Sequence, residues 1–159
     1  MANPFAQRPV HALLAPAVFL GLVLPTAAVA SRSSTSAAAS QTIKFALAFH
    51  DVEVDVGKKG PSLGDERVVS DSLLDTKGRK IGHDGGVCTF TSLTPPEAAC
   101  HITFFLARGQ IAIQFLNSPP PRKLAAIVGG TGTYRGVRGE AVIVEGPNQT
   151  GTVTFQLTG

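Results

Sequence analysis

From Thr42 onward a Gly, Pro, Asn or Asp interrupts the chain about every ten residues, and the runs between these marks favour Val, Ile, Phe and Thr. No segment sustains a helical period over three turns, whereas short β-branched and aromatic runs bounded by turn residues are what strands require. The punctuation predicts eight strands: Thr42–Val56, Arg67–Leu74, Gly86–Leu93, Ala98–Ala107, Gln110–Leu116, Leu124–Val128, Glu140–Val144 and Thr152–Thr158. An even number of short strands joined by tight turns can close on itself, which removes exposed edges. The expected fold class is therefore all-β, as an eight-stranded antiparallel β-barrel, with a β-sandwich as the alternative. "HITFFLA" and "IKFALAFHDV" are apolar on both faces, as they would be if one face lined the barrel and the other packed on an outer layer or a second subunit. A barrel of that size is wide enough for one small ligand.

The 159 residues, 43% hydrophobic and 16% charged, suit one compact domain. Arg8, the apolar run "ALLAPAVFLGLVLPTAAVA" and the small-x-small site Ala28-Val29-Ala30 form the pattern of a signal peptide over residues 1–30. A membrane anchor is the rival reading, but Pro16 and Pro25 break the run below the ~18 to 20 apolar residues of a spanning helix. Residues 31–41, rich in Ser and Ala, read as a disordered spacer, which leaves 42–159 as the domain. The expected location is secreted, with no membrane attachment after cleavage. The whole chain carries 14 basic and 11 acidic residues; without Arg8 the balance falls to about +2. That charge is mild and scattered, with no basic stripe interleaved with aromatics, so nucleic acid is not an expected partner.

"IVGGTGTYRGVRGEAVIVEG", Ile127 to Gly146, holds six glycines and two arginines. A dinucleotide fingerprint needs G-x-G-x-x-G between a strand and a helix, because the helix N-terminus holds the pyrophosphate. Gly130, Gly132 and Gly136 miss that spacing and a strand follows them; a Gly-Lys-Ser/Thr is absent too. The glycines therefore read as a tight connection with close backbone approach, and no cofactor is expected.

The same stretch resembles the most distinctive segment of the allene oxide cyclase and dirigent barrel superfamily. "SLGDERVVSDSLLD", "IGHDGGVCTF" and "GQIAIQFL" resemble the corresponding allene oxide cyclase segments in the same order, and "LAFHDV" resembles the first dirigent strand. The resemblance runs from about Ile43 to Gly159, the whole expected domain. It implies an eight-stranded barrel with an apolar cavity and a homotrimer. From the cyclases it implies ring closure in a fatty acid epoxide by a Glu, an Asn and a Cys; here those positions fall on or near His50, on Asp71 and on Cys88. From the dirigent proteins it implies stereocontrol of a phenoxy radical or quinone methide. The matching positions are Asp51, Cys88 in place of a Tyr, Asn117 in place of an Asp, and Arg122. Arg122 needs a one-residue gap, and without it Lys123 takes the place.

The residues themselves support a similar chemistry. An acid at the mouth of an apolar cavity, beside Phe45, Leu47 and Phe49, can have its pKa raised and protonate an enone, carbonyl or epoxide oxygen. With the resemblance, this makes Asp51, Asp71 and Arg122 the candidate catalytic residues; the resemblance also implies His50, Cys88 and Asn117 as candidates for ligand contact. Set against this, Asp51 also reads as a solvated rim residue in a run with Glu53 and Asp55. Asp71 also reads as the partner of Arg67 in a surface ion pair.

Two cysteines in an exported chain read as one disulfide, and Pro95-Pro96 between Cys88 and Cys100 marks the turn of a hairpin that would bring them together. An oxidised Cys88 can be neither acid nor nucleophile. His50, His83 and His101 lack metal-site spacing, so no metal is expected. A Gly-x-Ser-x-Gly nucleophile motif is absent, and Asn148-Gln149-Thr150 is a glycosylation sequon. The expected function is binding of a small apolar or aromatic molecule in the lumen. Two roles fit it: an isomerase, cyclase or dirigent-like stereocontrol protein, or a non-catalytic carrier or interaction module.

Overall fold

A computed structural model describes residues Ser40 to Thr158. The expected signal peptide and nearly all of the expected spacer lie outside the described residues. The chain forms β1 (Gln41–Ala48), β2 (Asp51–Val54), β3 (Glu66–Val69), β4 (Ser72–Leu74), β5 (Lys80–Leu93), β6 (Pro96–Leu106), β7 (Gly109–Asn117), β8 (Arg122–Gly130), β9 (Arg138–Glu145) and β10 (Thr150–Thr158). All pairings are antiparallel, in the order β5-β4-β1-β10-β9-β8-β7-β6, and β6 returns to β5 to close the ring. β2 prolongs β1 and β3 precedes β4 across one short break each, so the ten segments make the eight strands of a closed barrel. β2 pairs with β3 and β3 with β5, which extends the wall beyond the β1–β4 ladder at one end.

Alternation decides which side chains fill the interior. Along β6, Ala98, Cys100, Ile102, Phe104 and Leu106 are buried, while His101, Thr103 and Phe105 face out. Val153, Phe155 and Leu157 of β10 meet them across the barrel, and the Phe104 ring packs edge-on against Phe155 with centroids 5.0 Å apart. A 3-10 turn, Gly132–Tyr134, brings the buried Tyr134 into the same core.

The glycine-rich stretch is a connection and a close contact, as its spacing predicts. Gly132 has φ +59°, and a Cβ there would lie 2.3 Å from the Arg108 carbonyl oxygen. Gly139 has φ +128°, and its Cβ would lie 1.9 Å from the carbonyl oxygen of Gln156 on β10. Gly139→Ala is therefore expected to push β9 off β10 and to cost more than about 1 kcal/mol, read as a lower urea midpoint.

Cys88 and Cys100 are directly opposed on β5 and β6, with Cα atoms 4.0 Å apart, and are joined in a disulfide. The hairpin between them is the one expected from Pro95-Pro96. Replacing both with Ser is expected to cost about 2 to 3 kcal/mol, since the bridge closes a short loop in the unfolded chain. A urea midpoint unchanged from the oxidised parent would contradict this.

Candidate functional site

The first two long strands break where polar side chains take over the ladder. β1 stops at Ala48 and β2 resumes at Asp51; β3 stops at Val69 and β4 begins at Ser72. Across these gaps the His50 N–H donates to Asp71 Oδ1 at 2.7 Å, and the Ser70 N–H donates to the His50 carbonyl at 2.8 Å. On the other side the Asp71 N–H donates to Asp84 Oδ1 at 2.8 Å, and the Asp84 N–H donates to the Asp71 carbonyl at 3.0 Å. Asp carboxylates are good local acceptors for backbone N–H groups, and here they bridge an irregularity that re-aims the chain. Asp71 and Asp84 are thereby drawn into the lumen, 3% and 2% exposed.

That burial dominates their acidity. Removal from water pushes the Asp71 carboxyl up to about 7, helped by the negative charges of Asp84 and Asp51 and opposed by the bond from His50 N–H. Burial likewise raises Asp84, against the bond from the Asp71 N–H and the nearby His83. A carboxyl–carboxylate hydrogen bond joins the two side chains; it favours the proton on Asp71 and the charge on Asp84.

The pair opens onto a cavity of about 360 Å³ with an apolar floor of Leu47, Phe49, Ile102, Phe104, Phe115 and Ile143. The volume lies at the lower end of the range for small-molecule sites. The cavity sits at the end of the barrel where β1 runs into β2, β7 ends and β8 begins; at the other end Leu106, Ile111, Tyr134 and Leu157 fill the core. A second cavity of about 370 Å³ shares Arg67, Cys88, Asn117, Lys123 and Glu145 with the first and reaches the Pro119-Pro120-Pro121 run.

Both cations at the mouth have acidic partners. Arg67 Nη2 donates to Glu53 Oε1 at 2.7 Å, its Nε lies 3.1 Å from Asp51 Oδ2, and its guanidinium sits 5.8 Å over the Phe90 ring. Lys123 is buried; its Nζ donates to the Ser118 carbonyl and, at 2.6 Å, to the Pro120 carbonyl, and lies 3.5 Å from Glu145 Oε2.

The residues singled out from sequence divide sharply. Asp51, Asp71, Cys88 and Asn117 line the cavity, Cys88 as half of the disulfide. Arg122 does not: it lies at an exposed, outward position of β8, and alternation turns its neighbour Lys123 inward to the cavity. His50 also stands outside. Its side chain is exposed, with Nδ1 3.4 Å from the Ala48 carbonyl, and only its backbone N–H serves the site. The ion pair of Asp71 with Arg67 is replaced by pairs of Arg67 with Asp51 and Glu53, because Asp71 turns into the lumen at the strand break. Sequence reasoning missed Asp84 and Glu145. Asp84 sits among Gly82, Gly85 and Gly86, a composition that reads as a turn, and it is found inside β5. Among the described residues no group of His, Cys, Asp and Glu is arranged to hold a metal ion.

The fold and site define a closed barrel whose open end leads to an apolar, acid-lined cavity of small-molecule size. Residues 41–156 match the family described as the allene oxide cyclase barrel like domain, and the chain belongs to that family. Among solved structures, a pyocyanin demethylase is 30% identical, aligns over 74% of this chain and 100% of its own, and superposes with a TM-score of 0.66. A pterocarpan synthase dirigent protein is 19% identical over 76% of this chain and 94% of its own, with a TM-score of 0.58. An exo-specific intermolecular Diels-Alderase is 16% identical over 76% and 99%, with a TM-score of 0.56. The last two likenesses speak for the fold alone. No curated protein sequence matches the chain.

Proposed function

We propose that this barrel binds a small conjugated or aromatic molecule in its lumen and moves a proton within it, as an isomerase or cyclase does. The observation that carries this reading is a buried carboxyl with a pKa of about 7 facing an apolar cavity. A general acid works best when its pKa lies near the working pH, since it can then both give and recover the proton. Asp71 would donate to a carbonyl, enone or epoxide oxygen, and Asp84 would hold the acid in place through the shared hydrogen bond. Phe49, Phe104, Phe115 and Ile143 would confine the substrate to one folded shape, which sets the handedness of a new ring. The likeness to the pyocyanin demethylase supports a small-molecule site.

The test begins with mass spectrometry of molecules extracted from the purified protein. Incubated with that ligand in heavy water, the protein is expected to introduce deuterium or to yield a chiral product, with a rate that changes around pH 7. Asp71→Asn should lower that rate about a hundredfold or more while the ligand still binds. A ligand returned unchanged, with no deuterium, would establish the carrier role instead. That second reading is favoured by the disulfide that occupies Cys88 and by the outward position of Arg122.

Secretion and a homotrimer belong to the same proposal. The disulfide is consistent with an oxidising compartment. Leu116, Leu124 and Val144 are exposed on the outer wall and would supply apolar contacts between copies. Light scattering at the mass of a single chain would contradict the trimer.

A further inference from the structure

Resting on the lumen as the binding site, we infer that its ligand is a planar aromatic cation and that the cavity rejects carboxylates. Four carboxyl groups line it, Asp51, Asp71, Asp84 and Glu145, against two cations, Arg67 and Lys123. Neither cation is free to receive an anion. Arg67 is held between Asp51 and Glu53, a cluster that keeps a net negative charge. Its Nε makes no hydrogen bond but is buried beyond a ligand's reach. The Lys123 ammonium is engaged by two backbone carbonyls and Glu145. Even with one proton on the Asp71–Asp84 pair, four carboxyl groups against two cations leave the lining net negative.

An anionic ligand would therefore meet unpaired carboxylates in a poorly solvated space, the arrangement that penalises like charge most. A cation meets the reverse. Its charge would neutralise the Asp71–Asp84 pair, and its ring would rest against Phe49, Phe104 and Phe115, whose faces attract positive charge. An ordinary fatty acid, with its carboxylate, does not fit this lining, although the family's resemblance to plant cyclases suggests such a substrate.

Three probes with one ring system separate the possibilities: N-methylacridinium, acridine and acridine-9-carboxylate, titrated at pH 8 against the purified full chain by fluorescence quenching. The cation is expected to bind at least about tenfold tighter than the neutral ring, and the carboxylate weaker than both. Asp71→Asn should reduce the ratio of cation to acridine affinity several-fold. Asp51→Asn, at a partly exposed rim position, should reduce it to a lesser extent. Carboxylate binding equal to or tighter than that of the cation would overturn the inference. So would a preference unchanged in both variants, or failure of all three probes to bind. These probes are not turned over, so the outcome is separate from the proton-transfer reading. Deuterium exchange lost in Asp71→Asn without any cation preference would leave that reading standing and remove this one.

Discussion

Asp71→Asn is expected to stabilise the protein above neutral pH even as it removes the proposed proton transfer. The Asp71 carboxyl titrates near 3.8 in an unfolded chain and at about 7 in the barrel. Between those values the unfolded chain has released the proton while the folded one keeps it, so stability falls as pH rises across that window. A tenfold gain in proton affinity on folding corresponds to about 1.4 kcal/mol, so the parent should lose about 3 to 4 kcal/mol between pH 4 and pH 8 from this group. Asp65 and Asp75 are held below the usual carboxylate value by backbone N–H bonds, so their opposite contribution is complete by about pH 5. The interval from pH 5 to pH 8 thus reports the buried pair. Asn keeps an acceptor for the His50 N–H and offers an N–H to Asp84, without a charge to bury. Urea titrations at pH 5 and pH 8 should show a steep loss for the parent and a much flatter response for the variant. A parent equally stable at both values would contradict a raised Asp71.

Phe104→Ala is expected to have the largest purely structural effect. The ring is 1% exposed, packs on Phe155, and also forms part of the cavity floor. Its removal should cost about 3 to 5 kcal/mol, from lost burial and from space the barrel wall cannot fill. The closed hydrogen-bonded ring holds opposite walls apart, so the gap joins the lumen. The variant should consequently accept a larger aromatic ligand than the parent, provided assays are run well below its reduced melting temperature. A stability loss under about 1 kcal/mol would mean that the barrel collapses around the gap.

Much of this architecture is written locally. The turn residues and β-branched runs announce eight antiparallel strands, and the glycine stretch announces a tight connection with close backbone approach. Errors concentrate where a strand breaks local rules. Thr42–Val56 and Arg67–Leu74 are each two segments, because His50, Asp71 and Asp84 exchange backbone and side-chain bonds across the gap. β5 begins at Lys80, six residues before the expected Gly86, since Gly82 and Gly86 serve there as points of close approach: a Cβ would lie 2.5 Å from the Phe105 carbonyl oxygen and 2.2 Å from that of His101.

The candidate site was legible only in part for the same reason. Asp51, Asp71 and Asn117 could be proposed because the family resemblance marks those positions, although Asp51 also reads as a solvated rim residue and Asp71 as half of a surface ion pair. Arg122 and Lys123 could not be told apart, because adjacent residues of a strand face opposite sides and a shift of one exchanges them. Composition and spacing pointed to antiparallel strands able to close, with a sandwich still open, to the disulfide hairpin and to the glycine stretch as a tight connection, all of which rest on neighbours close in sequence or on the period of the strand. Only the tertiary structure decided which carboxyls are taken out of water, Asp71 and Asp84, and which stays at the rim, Asp51. A pKa depends on how much water surrounds a group and which charges face it. Hydrogen bonds to residues 21 positions before Asp71 and 13 after it hold it in the lumen, where burial and the charges of Asp84 and Asp51 act on it.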